Sequence, residues 1–161
     1  MLEVRYVFEQ SLHDDRGPRL LHYLLERGAD EFSITVMALQ DTQAPFADAF
    51  EDELGPYELR SARRRVISRA DLHDQSREVR LWAFTQASLD RLLSFLDCGI
   101  FHCPAGPDGW LEDLTVYRKG ELALGLVSHE REGVLRLTED ELSKLAALDI
   151  PFERDAQWVG Y

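Results

Sequence analysis

The stretch that most constrains this sequence is residues 114–137, where three short apolar runs (114–118, 122–128 and 134–137) are separated only by breaks at Lys119-Gly120 and Arg131-Glu132-Gly133. Parallel pairing needs a crossover of a dozen or more residues, so neighbours this close can pair only antiparallel. An antiparallel meander is predicted, with glycine supplying the turn conformation at each break. Directly after it, Thr138-Glu139-Asp140-Glu141 reads as a capping box that starts a helix whose buried face is Leu142, Leu145 and Leu148.

The rest of the chain supplies more elements of both periods. Leu2, Val4, Tyr6 and Phe8 alternate with polar positions and predict a first strand with those four on its buried face. Leu20, Leu21, Leu24 and Leu25 follow Pro18 at helical spacing, and Gly28 ends that helix. Residues 32–39 are rich in apolar and β-branched side chains and read as a central strand. Residues 57–68 and 78–85 predict two strands that can form a long hairpin, the second placing Val79, Leu81 and Ala83 on one face and Arg80, Trp82 and Phe84 on the other. Leu89, Leu92, Leu93 and Leu96 form a helical stripe capped by Thr85 or Ser88. A short apolar run at 100–103 reads as a brief strand and precedes a Pro/Gly loop at 104–109, which is expected to carry Trp110 at its end.

This succession predicts an α+β fold: an antiparallel-rich sheet with helices packed on one face, as a ferredoxin-like core extended by the C-terminal meander and helix. At 161 residues a single domain spanning 1–161 is expected, and 45% apolar with 30% charged residues is the balance of a chain that folds without a partner. The first ten residues hold Glu3 and Arg5 and lack the apolar core of a secretory leader, so a cytoplasmic location is expected. No stretch reaches the roughly 20 apolar residues of a membrane span. Two cysteines are too few for a disulfide framework.

Charge narrows the choice of partners. A net charge of −12 repels phosphates and anionic membranes, so neither nucleic acid nor membrane is expected to bind. The acids concentrate in residues 41–58, with Asp41, Asp48, Glu51, Asp52, Glu53 and Glu58, no base, and Phe46, Phe50 and Leu54 at helical spacing. This predicts an acidic amphipathic helix. Five arginines follow at 60, 63, 64, 65 and 69, and pairing with the preceding acids is a sufficient account of them.

Three clusters offer chemistry. Cys98, His102 and Cys103 are soft ligands that zinc accepts, but a structural site wants four ligands and no second Cys/His pair exists in the chain. Buried thiols are the expected role. His129, Glu130 and Glu132 bring a base and two carboxylates to a turn, where they could centre a small hydrolase or metal-dependent enzyme. The sequence is not HExxH, and a solvated turn is the simpler expectation. No phosphate-binding glycine motif is present and no cofactor is expected.

Without a complete catalytic constellation, the expectation is a non-catalytic, acidic protein-binding module that docks a basic partner, in the manner of an immunity protein or antitoxin. Asp48, Glu51, Asp52 and Glu53 would steer the partner, with Phe46, Phe50 and Trp110 as apolar anchors. The alternatives are the His129-centred enzyme and a homodimeric scaffold paired through an exposed sheet edge.

Overall fold

A computed structural model describes residues 2–38, 45–67, 74–96, 99–101 and 109–153. In chain order these contain β1 (Leu2–Phe8), α1 (Arg16–Glu26), β2 (Glu31–Ala38), α2 (Pro45–Leu54), β3 (Glu58–Ile67), β4 (Asp74–Ala83), α3 (Gln86–Phe95), β5 (Gly109–Arg118), β6 (Glu121–Val127), β7 (Glu132–Thr138) and α4 (Glu139–Ala147). The strands form one sheet in the order β1-β7-β6-β5-β2-β4-β3. Every neighbouring pair is antiparallel.

The predicted α+β architecture is therefore the observed one. From residue 31 to residue 118 the elements run β-α-β-β-α-β with the spatial order β5-β2-β4-β3, the element order of a split βαβ unit. The likeness to a ferredoxin-like core extends to that order alone. The meander β5-β6-β7 widens this sheet, and β1 pairs with β7 from Leu2↔Thr138 to Phe8↔Glu132 to form the far edge.

All four helices contribute to one apolar cluster on one face of the sheet. Leu20, Leu24, Phe50, Leu54, Leu89, Leu92, Leu142 and Leu145 pack with Phe32, Trp82, Val116, Leu124 and Leu135 from the strands. Each such side chain, fully buried, contributes roughly 1.5–3 kcal/mol. Rings strengthen the α2–α3 side, where Phe50 meets Trp82 at 5.6 Å and Phe95 at 5.4 Å, both edge-on. Two helix starts are set locally, since Thr85 with Ser88 and Thr138 with Glu141 both form reciprocal capping boxes.

The opposite face is not left to solvent. Ile67, Leu81, Tyr117, Leu122, Val127 and Val134 form a second apolar cluster there, because the sheet curls until β3 lies over β6. Gly125 permits that approach: a Cβ at this position would sit 2.7 Å from Cγ1 of Ile67. The guanidinium of Arg64 donates from Nε (3.0 Å) and Nη2 (2.8 Å) to Glu31 Oε2, tying β3 across to β2.

Three local expectations need correction. In β1 the buried residue is Val7, which turns to the helix-packed face, while Leu2 and Val4 share the opposite face with Tyr6 and are 48% and 42% exposed. Ile100 and Phe101 are buried but form no strand. Strand β5 begins at Gly109, so Trp110 is a strand residue paired with Met37 and not part of a loop.

Candidate functional site

Among the described residues the sheet has one seam. β2 and β4 pair only at Glu31↔Ala83 and Phe32↔Trp82, and beyond these the two strands diverge. β2 instead follows β5 as far as Ala38↔Gly109, and β4 follows β3 as far as Ile67↔Asp74. Between them lies an open cleft of about 370 Å³ lined by Ser33–Val36, Arg77–Arg80, Trp82 and Asp113. That volume falls within the range of ligand-binding clefts.

Alternation gives the cleft two characters. Ser33 turns to the curled face, where its hydroxyl lies 3.3 Å from that of Tyr117. Burial raises the pKa of Tyr117, and the hydrogen bond with Ser33 opposes that rise. Ile34 turns to the helix face and joins the main core. At the closed end sits Trp82, 1% exposed, whose buried indole Nε1–H finds no acceptor among the described residues.

Asp113 reaches the cleft through a backbone irregularity. Between Ser33↔Thr115 and Thr35↔Glu112 the register slips by one, so β5 carries one extra residue there. Asp113 takes a positive φ of 55°. It is locked by exchange with the buried Ser128: its backbone N–H donates to Ser128 Oγ at 2.7 Å, and its Oδ1 accepts from the Ser128 N–H at 2.9 Å. Bulges of this kind re-aim side chains beside binding sites.

The opposite wall is fixed by Arg80. Its guanidinium donates to Glu51 of α2 at 2.7 and 3.0 Å and to Glu58 of β3 at 2.9 and 2.8 Å. It also lies 5.0 Å from the Trp82 ring centroid. The bonds that Arg80 donates to Glu51 and then to Glu58 raise its pKa, and the bond from Arg80 lowers that of Glu58. Two acids of the acidic segment thus stand at the rim of the cleft.

The sequence-predicted residues distribute unevenly. On α2, Asp48, Glu51, Asp52 and Glu53 are all exposed, as expected of an acidic face. Glu51 is held by Arg80 and Glu53 by Arg91 (3.1 Å), whereas among the described residues Asp48 and Asp52 make no hydrogen bond or ion pair. Among the described residues, Glu51 and Glu58 therefore pair with Arg80 and Glu53 with Arg91, while Arg64 pairs with Glu31. Phe50 is fully buried and cannot act as a surface anchor, because the helix needs it against Trp82. Phe46 is half-buried against Phe95, and half-buried Trp110 spends its indole N–H on Glu112 at 2.7 Å.

His129, Glu130 and Glu132 sit at the β6–β7 turn and do not line the cleft. His129 is exposed, with Nε2 3.6 Å from Glu130. Burial, then the charge of Glu130, raises the pKa of Glu132. Cys98, His102 and Cys103 lie outside the described residues. Among the described residues no three His, Cys, Asp or Glu side chains are placed to hold a metal ion, and no helix is long and apolar enough to cross a membrane.

Sequence reasoning missed Ser33, Thr35, Arg77 and Asp113. The one available signal was the acidic doublet Glu112-Asp113 interrupting an otherwise apolar strand, which marks a bulge. No family model, curated protein or solved structure matches this chain.

Proposed function

We propose that the protein is a non-catalytic binding module that docks a basic partner protein, as an immunity protein or antitoxin does. The observation that carries this reading is the α2 surface. Asp48 and Asp52 are exposed and unengaged among the described residues, beside Glu51 and Glu53, whose side chains remain 44% and 46% exposed within their ion pairs. Like charges gathered without compensation cost stability, and a complementary partner relieves that cost while gaining association rate. Affinity capture from native lysate at graded salt tests it, comparing wild type with Asp48→Lys/Asp52→Lys. A basic protein that wild type retains at low salt and the double variant does not is the expected result. Equal retention by both proteins would refute docking through α2.

A second reading, self-pairing through the β1 edge, is favoured by the exposure of Leu2 and Val4 on that strand. The edge is already occupied at one point, where Tyr6 and Glu153 exchange backbone hydrogen bonds of 2.8 Å. Light scattering on wild type and Val4→Lys separates a dimer from a monomer.

A further inference from the structure

A strand inside a sheet uses both of its backbone edges, and β2 and β4 each leave one largely unused. β2 is paired along its length with β5, but on its other side only Glu31 and Phe32 find partners. β4 is paired with β3 from Trp82 to Asp74, and past Trp82 its second side has no partner strand among the described residues. These two edges face one another across the cleft. Natural sheets cover, charge or shorten such edges, because an extended peptide can otherwise add to them.

We propose that this seam is a strand-insertion site: an extended, basic segment of the partner protein enters between β2 and β4 and pairs its main chain with residues 33–37 and 77–81. This sharpens the basic-partner reading above and rests on it. Charge selects the occupant. Glu78 and Asp113 line the cleft, and Arg80 holds Glu51 and Glu58 at its rim, so four carboxylates surround two guanidinium groups, Arg77 and Arg80. Both charges of Arg80 partners are only partly offset by one cation, and lysine or arginine side chains on an entering strand complete the balance. A second copy of this chain, itself carrying −12, is disfavoured by the same charges.

The walls set the pattern of the segment. Side chains of an inserted strand alternate between the two faces of the sheet. One face offers Ile34, Val36 and Trp82 together with Glu78 and Arg80, whose partners Glu51 and Glu58 stand at the rim, and the other offers Ser33, Thr35, Arg77 and Val79. Basic residues on the first face, their aliphatic stems over Ile34 and Val36, alternating with apolar residues on the second, match this division. At the closed end, Trp82 adds a buried N–H still without an acceptor among the described residues, beside the last natural pair of the seam.

The test uses the full chain and three synthetic probes: a peptide alternating valine and lysine, the same peptide with every second backbone nitrogen methylated, and an analogue with glutamate in place of each lysine. Methylation removes main-chain donors while leaving charge and side chains unchanged. Binding is read by fluorescence anisotropy and its location by amide hydrogen exchange. The unmethylated peptide is expected to slow exchange at 33–37 and 77–81, to weaken with Glu78→Gln/Asp113→Asn, and to bind about tenfold or more tightly than the methylated one. Protection confined to residues 45–54, or indifference to methylation, overturns insertion while the basic-partner reading stands. Preference for the glutamate analogue overturns both. Absence of binding at millimolar peptide, or protection of the seam by self-association without peptide, also overturns insertion.

Discussion

Glu141 gives the sharpest test of how charge stabilises this fold. Its side chain is 4% exposed, yet it is ionised and shared among three elements. Arg118 on β5 donates to Oε1 at 2.5 Å, Arg27 at the end of α1 approaches Oε1 at 3.4 Å, and the N–H and hydroxyl of Thr138 reach Oε2 at 2.8 and 3.0 Å. Burial by itself pushes this carboxyl up, but the bonds from Arg118 and Thr138 outweigh it and hold the pKa near 2, against an ordinary 4.5. At about 1.4 kcal/mol per pH unit, that gap corresponds to roughly 3 kcal/mol of folding stability. Because the folded value is depressed, the contribution is complete above pH 4.5 and is lost as pH falls from there toward 2. Glu141→Gln keeps one acceptor for the capping box, removes the charge, and replaces the oxygen that faces the Arg118 guanidinium with a donor. Urea denaturation near pH 7 is expected to show a loss of roughly 2–3 kcal/mol, and the wild-type advantage should shrink by roughly 2 kcal/mol between pH 4.5 and about pH 3. A difference that stays constant across that range, or one below about 0.5 kcal/mol near neutrality, would show that the desolvation of Glu141 cancels its ion pairs.

Other substitutions separate packing from surface charge. Phe50→Ala opens a cavity between Trp82 and Phe95 and is expected to cost about 3–5 kcal/mol in equilibrium unfolding, far more than an exposed helix residue would. Gly125→Ala forces a methyl against Ile67, and a loss of about 1–3 kcal/mol together with faster amide exchange in β3 would reveal the strain in the curl. For Glu132 the sign is reversed: its folded pKa is raised, so its charge destabilises at neutral pH, and Glu132→Gln should unfold at higher denaturant near pH 7. That advantage should fade as pH falls through the raised folded value and be gone below the ordinary carboxyl value of 4.5. Asp48→Lys/Asp52→Lys, in contrast, should leave stability within about 0.5 kcal/mol of wild type, since neither acid has a partner to lose among the described residues.

Most of the element pattern was legible because it rests on local physics. Thr138 and Glu141 announce their helix through side chains that bond backbone three residues away, and the meander follows from breaks too short for any other pairing. What could not be read was which face of a strand the fold would cover. Leu2 and Val4 have the right period for burial, but β1 became an edge, and Val7 alone was enclosed. The site was less legible still. Periodicity placed Phe50 on the apolar side of an acidic helix correctly, yet a residue that packs this deeply into the core offers no contact surface. The cleft depends on where β2 and β4 part, a long-range outcome to which only the Glu112-Asp113 doublet gave a clue.

Arginine supplies 16 of the 18 lysine and arginine side chains, a bias that takes on structural meaning once the pairs are located. Arg64, Arg80 and Arg118 each bridge separate elements: β3 to Glu31 of β2, β4 to Glu51 of α2 and Glu58 of β3, and β5 to Glu141 of α4. A guanidinium presents several donors in a fixed plane, so one side chain can hold two carboxylates at once, as Arg80 does with four bonds. A lysine there would hold one acid firmly and release the other. These ties also bear on the seam. A sheet with an unfilled joint persists only if its flanking strands are secured elsewhere, and here β4 is anchored outward by Arg80 and β3 is drawn over the curled face by Arg64. On the far side, β5 is bent by its bulge and locked at Asp113 by Ser128. The opening between β2 and β4 is thus bordered by fixed elements on both sides, the preorganisation that the proposed strand insertion requires if an entering segment is not also to order the walls of its site.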